Sequence, residues 1–345
     1  MGVGISLANL ASAVARAGGI GVLATAGIGM FEPDLDQDPM GANLRALKKE
    51  IAKAKAQAEG GVIGVNVMVA LSDFEDLLRV AVQEEVDVVF MGAGLPLKLP
   101  NALPLDALHT LHTKFVPIVS SARAAELILR SWEKHYRHVP DAVVVEGPLA
   151  GGHLGFKKEH VSDPLFALDR IVPDVLACVK PFEDRFAKPI PVIAGGGVYT
   201  GADIYRFLQM GASGVQMGTR FVATYECDAS EAFKQTHLDC REEDIILIDS
   251  PVGMPGRAIR NGFLDRIHAG EKEPFTCPWK CLRTCEFKKA NYCIAKALTQ
   301  AQRGHMDHGF AFAGANAYRS KALVSVKDLV ASLVREYRDR CMDVA

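Results

Sequence analysis

Between residues 20 and 217 the chain alternates short apolar runs with longer amphipathic stretches, and this alternation limits the fold more than any single motif does. The runs lie at 20–25, 62–69, 86–91, 115–120, 142–146, 190–194 and 214–217. Helical spacing of apolar residues marks 7–17, which Gly18-Gly19 ends, the lysine-rich 43–58, 73–84 with Ser72 placed to cap it, and 202–210. Strands of this length alternating with helices argue for βα units and a parallel sheet. Seven strands are one short of a (β/α)8 barrel. An open doubly wound sheet would need a G-x-G-x-x-G turn opening a helix after an early strand. No such turn occurs near the N-terminus, and the glycine-rich turns come late. The expectation is therefore an α/β TIM barrel over 1–227 lacking one strand, followed by a C-terminal cap segment over 228–345 that carries helices and a cysteine cluster.

A chain of 345 residues, 49% of them apolar, can bury a substantial core. Its formal net charge of −2 leaves no electrostatic footprint for nucleic acid or an anionic membrane. The apolar stretches are short and broken by glycine, so no membrane-spanning segment is expected. No basic n-region of a signal peptide opens the chain. The eight cysteines then point to a reducing, cytoplasmic setting in which thiols serve metals or chemistry more often than disulfides.

Three late turns carry the candidate chemistry. Gly195-Gly196-Gly197 follows the strand counted seventh in a barrel, and Gly218-Thr219 follows the eighth. Barrels commonly bind a phosphate at this pair of loops, on backbone N–H groups and a helix N-terminus, and the Thr219 hydroxyl adds a donor. After the sixth strand comes Gly151-Gly152-His153-Leu154-Gly155, a glycine-dense loop with one histidine. Glycines of this density allow close approach to the backbone, and histidine exchanges a proton near neutral pH.

These stretches, together with PVIAGGGVYTG (191–201), GASGVQMGTRF (211–221), SPVGMPGRAIRN (250–261) and the opening GVGISLANLASAVARAGGIGVLATAG, resemble the FMN-dependent nitronate monooxygenases, relatives of flavin-dependent enoyl-ACP reductases. The resemblance covers the barrel from end to end. It implies FMN as cofactor, His153 as the catalytic histidine facing the flavin, Asn66 as a hydrogen-bonding partner of the flavin ring, and Glu146 at a strand's C-terminal end facing the site. Gly151, Gly152, Gly195, Gly196, Gly197, Gly218 and Thr219 would hold the cofactor. It implies a small-molecule substrate: a nitronate, oxidised to a carbonyl compound and nitrite, or alternatively NAD(P)H with an enoyl thioester. Members of the family begin with a strand ending in something like QGGM, and this chain starts at what resembles that Met. The first barrel strand is thus expected to be absent, and the exposed sheet edges would favour homo-oligomers.

Cys277, Cys281, Cys285 and Cys293 give C-x3-C-x3-C-x7-C. Four thiolates suit an iron–sulfur cluster or zinc, although the spacing matches neither zinc ribbons nor ferredoxin runs. If helical, the first three would form one stripe. The His305-Met306-Asp307-His308 pair reads as solvent-facing.

Overall fold

In the computed structural model, which describes residues 2–343 apart from 102, 104 and 278, the seven apolar runs are strands of one parallel sheet. In chain order the strands are β1 (Gly21–Ala24), β2 (Ile63–Met68), β3 (Val88–Gly92), β4 (Lys114–Val119), β5 (Val143–Glu146), β6 (Gly152–His153), β7 (Val192–Gly195), β8 (Gly214–Gln216), β9 (Ile245–Asp249) and β10 (Pro255–Ile259). The large sheet runs β1-β2-β3-β4-β5-β7-β8 with every neighbouring pair parallel. The two-residue β6 leaves it to pair antiparallel with β10, which also pairs with β9.

The helices are α1 (Ala8–Arg16), α2 (Pro39–Gln57), α3 (Phe74–Gln83), α4 (Ala122–Tyr136), α5 (Leu168–Phe186), α6 (Gly201–Gln209), α7 (Thr219–Val222), α8 (Glu231–Asp239), α9 (Gly262–His268), α10 (Ile294–Gln302) and α11 (Val326–Met342). Ser72 does not cap α3: Asp73 takes the N-cap position, and the Ser72 hydroxyl donates instead to Lys280 O.

Alternation along the strands sorts two cores. Leu23, Val65, Val67, Val89, Met91, Val143 and Val145 pack under the helices, against Leu47 and Ile51 of α2, Leu77 of α3 and Trp132 of α4. Their neighbours Val22, Val88, Phe90, Val116, Val144 and Ile193 fill the barrel interior as a separate cluster. Both faces of the sheet are apolar because both are covered, as parallel sheets require. The same period of two turns Asn66, Glu146, Gly195 and Gln216 to the interior at the strands' C-terminal ends.

β1 and β8 each pair with one strand of this sheet and not with each other. The outer edge of β1 is nevertheless met by Ser6: Ala24 N donates to Ser6 O at 2.9 Å, and the Ser6 hydroxyl donates to Val22 O at 2.7 Å. Two backbone groups that an open edge would leave bare are thereby satisfied. The region after 228 packs back on this end. Asp228 accepts from Leu7 N and Leu10 N at the start of α1, and Leu10 and Ala13 share a core with Phe233, Ala311 and Val326.

Candidate active site

The C-terminal ends of the strands carry the residues singled out from the sequence. Glu146 ends β5 opposite Gly195, and Gly195 in turn stands opposite Gln216. Asn66 is buried on β2, and its backbone carbonyl accepts from Thr25 N and the Thr25 hydroxyl. Burial pushes the Glu146 carboxyl above the ordinary carboxylate range.

His153 leaves this floor on β6. Gly152 before it has φ +79°, a conformation that glycine alone adopts without cost. Gly151 is packed so closely that a side chain there would meet Ala313 C and Gly314 N at 2.5 Å. The His153 ring is fixed from two sides: Nε2 lies 2.7 Å from Ser250 Oγ, and the Phe312 ring meets it edge-on with centroids 5.0 Å apart. Burial pushes its imidazole down to about 4, so the ring is neutral at neutral pH.

Arg257, buried on β10, donates to the carbonyls of Pro148 and Ala150 and so shapes the loop leading to His153. Burial lowers its guanidinium to about 10, which still leaves it charged.

The phosphate-type loops lie beside this. Gly196 and Gly197 have φ near +90°, and among the described residues no protein acceptor meets the N–H groups of Gly196, Gly197, Gly218 or Thr219. Unpaired backbone donors at adjoining turns form a cradle for an anion. The following helix contributes less than the sequence suggested. The amides of Tyr199 and Thr200 before α6 are taken by Asp203, that of Gly201 by Glu336, and α7 is a single turn. The Thr219 hydroxyl accepts from Gly314 N at 2.9 Å and keeps its proton to donate.

Ser250, Arg257, Gln216 and the 313–316 segment had not been singled out as site residues. That segment joins the loops: Ala315 N donates to Leu149 O, Gly314 N to Thr219, and Asn316 Nδ2 to Gly197 O. Ser250 and Arg257 lie in the 250–261 stretch that carries the resemblance, and Gln216 lies in 211–221 and also faces inward by strand alternation; the 313–316 segment has no local signal.

The cysteine segment is not a helix, so no stripe of thiols forms; Cys277, Cys281 and Cys285 lie on irregular chain. All eight cysteines are free thiols. Among the described residues no three His, Cys, Asp or Glu side chains are grouped as ligands of a single metal ion, and His305 and His308 are exposed. Nor is any helix of the described residues long and apolar enough to cross a membrane.

Comparison with known proteins gives a consistent picture. The sequence model of the family described as "Nitronate monooxygenase" matches residues 1–336. A curated relative from Mycobacterium tuberculosis, (3aS,4S,5R,7aS)-5-hydroxy-7a-methyl-1-oxo-octahydro-1H-indene-4-carboxyl-CoA dehydrogenase, is 28% identical over 77% of this chain and 63% of its own length. A probable nitronate monooxygenase from Staphylococcus saprophyticus is 26% identical over 60% of this chain and 53% of its own. The chain thus spans somewhat over half the length of these relatives. Among solved structures, FabK from Thermotoga maritima superposes with a TM-score of 0.74 at 27% identity, covering 99% of this chain and 91% of that one. Nitroalkane oxidase from Streptomyces ansochromogenes, at 23% identity and a TM-score of 0.73 over 100% of this chain and 96% of that one, shares the fold.

Proposed function

The chain belongs to the nitronate monooxygenase family, and on that footing we propose that it is an FMN-dependent oxidoreductase that converts alkyl nitronates to a carbonyl compound and nitrite. The observation that carries this reading is the neutral, ring-locked His153 standing beside a cradle of unpaired backbone donors.

The residues present fit FMN. The N–H groups of Gly196, Gly197, Gly218 and Thr219, with the Thr219 hydroxyl, would hold its phosphate, while Gly151 and Gly152 let the backbone approach its ring. Asn66 and Glu146 lie on the interior face from which a ring would be contacted. When bound, FMN supplies the redox chemistry, with dioxygen as the final acceptor.

His153 handles the proton. Neutral at working pH, its imidazole can take the α-proton of a nitroalkane, and Ser250 holds the ring for that transfer. A nitronate is already an anion. Entering this poorly solvated site, it raises the histidine's proton affinity, so His153 takes up a proton and pairs with the nitro oxygens. Phe312 packs against the ring and limits its rotation.

A second reading, an NAD(P)H-dependent reductase of enoyl thioesters, is favoured by the curated relative named for a carboxyl-CoA compound. The test is to purify the protein anaerobically, record the flavin spectrum, and add ethyl nitronate or NAD(P)H separately. Bleaching by nitronate alone supports the monooxygenase. Bleaching by NAD(P)H alone moves the protein to the reductase class, and a spectrum without flavin bands sinks both.

A further inference from the structure

A cavity of about 350 Å³ lies outside the site just described, and all four clustered cysteines line it: Cys277, Cys281, Cys285 and Cys293. The rest of the wall is mostly apolar and aromatic, including Phe275, Phe287 and Tyr292, with Lys280 and Arg283 as its charged members. The chain around it is held in place although it has no regular structure. Ser72 N donates to Cys281 O at 3.1 Å, Arg283 N donates to Ala70 O at 3.0 Å, and Leu71 bridges to Leu282. These contacts fasten the loop to the segment after β2, at the C-terminal end of the barrel. Between the first two cysteines Lys280 sits at φ +46°, a left-handed conformation that costs a lysine energy and persists only where its surroundings impose it.

We propose that Cys277, Cys281, Cys285 and Cys293 each ligate one iron of a four-iron, four-sulfide cluster seated in this cavity. Three observations support a cluster. All four thiols line one cavity; a cluster carries its thiolates on separate irons, spread around an inorganic core. The volume far exceeds what one zinc ion with four sulfurs at ~2.3 Å occupies. The apolar wall is the kind of shell that shields such a core from water.

Lys280 and Arg283 also line the cavity, and their positive charge offsets part of the negative charge that thiolate ligands would bring. The cavity also borders the flavin-type site. Pro251 and Val252 line it, and Ser250 next to them holds His153. The proposal does not depend on the nitronate reading.

The experiment uses the full chain. It is purified anaerobically, incubated with ferrous iron, sulfide and a thiol reductant, and desalted; iron, acid-labile sulfide and flavin are then measured per chain. About four irons and four sulfides per chain are expected, with a paramagnetic signal after dithionite reduction. Cys281→Ser and Cys285→Ser should each lower bound iron at least fivefold, whereas Cys178→Ser, on α5, should leave it unchanged. Far-ultraviolet circular dichroism checks folding. If the Cys281 variant does not fold, Cys293→Ser at the loop's end gives the same reading. Iron at background, one zinc without sulfide, a disulfide among the four cysteines after anaerobic isolation, or iron indifferent to the serine variants would overturn the proposal. Flavin measured in the same samples separates this failure from failure of the FMN reading.

Discussion

His153 Nε2 and Ser250 Oγ, 97 positions apart in sequence, lie 2.7 Å from each other and join the loop after β5 to the turn between β9 and β10. Replacing His153 by Ala should lower turnover of ethyl nitronate by roughly 10²- to 10⁴-fold, the usual contribution of a positioned acid–base group. Flavin content should not change. Ser250→Ala removes one hydrogen bond worth about 1 kcal/mol and should cost roughly five- to tenfold in kcat. Steady-state kinetics beside a flavin titration check both, and full activity in the His153 variant would remove it from the chemistry.

The pH profile offers a separate check. Burial holds His153 at about 4, below the ordinary imidazole value. Its basic form therefore persists well below pH 6.5, where an exposed histidine is half protonated. With a nitroalkane as substrate, whose α-proton the basic form must take, the acidic limb of kcat/KM should lie toward pH 4, and the Ser250→Ala variant should move it. A limb at 6.5 in the native enzyme would show that the ring is solvated during catalysis.

Stability should respond to acid through a different residue. His237 on α8 is 1% exposed, and its Nδ1–H donates to Phe233 O. Burial lowers its folded-state value to about 4. Between about pH 6.5 and 4 the unfolded chain binds a proton that the folded chain refuses. Stability is therefore fully present above 6.5 and is lost as pH falls through 4, by up to about 3 kcal/mol for this group. Urea midpoints measured between pH 7 and 4 should fall steeply, and His237→Phe should flatten the slope.

The seven strands were legible because each is an apolar run bounded by turn residues, and every boundary lies within two residues of its expected place. The glycine loops were legible because glycine clusters carry a local signal. Arg257 was not, since its role is to hold the carbonyls of Pro148 and Ala150, more than a hundred positions away. The Gly314–Asn316 contacts with Thr219 and Gly197 were hidden for the same reason. Ser72 misled because a hydroxyl before a helix usually caps it; here the better partner was a carbonyl on the distant cysteine loop. The expected stripe of thiols failed in a similar way: a spacing of four aligns residues only where the chain is helical.

Arg257 should be intolerant even of Lys. Both bonds come from a single nitrogen, Nη1, and a lysine side chain ends one atom short of its place; leaving one buried carbonyl unsatisfied costs about 1–3 kcal/mol. Arg257→Lys should lower the denaturation midpoint and also reduce kcat, because the loop it shapes carries His153. A variant with normal turnover would show that β6 pairing alone positions that histidine.

Two glycines separate the needs of the fold from those of the cofactor. Gly196 has φ +90°, and a side chain there would meet Gly147 O at 2.8 Å, so Gly196→Ala should strain the loop and reduce both stability and FMN retention. Gly218 has an ordinary φ of −118° and nothing within 4 Å of where a side chain would begin. An alanine there costs the fold little, but its methyl would stand in the open space beside the unpaired Gly218 and Thr219 amides. Gly218→Ala should therefore leave the melting temperature of the flavin-free protein within a degree or two while weakening FMN binding about tenfold, the equivalent of about 1.4 kcal/mol. Fluorescence titration with FMN reads the affinity and differential scanning calorimetry reads the fold. Unchanged affinity in a normally folded variant would move the phosphate away from the loop after β8.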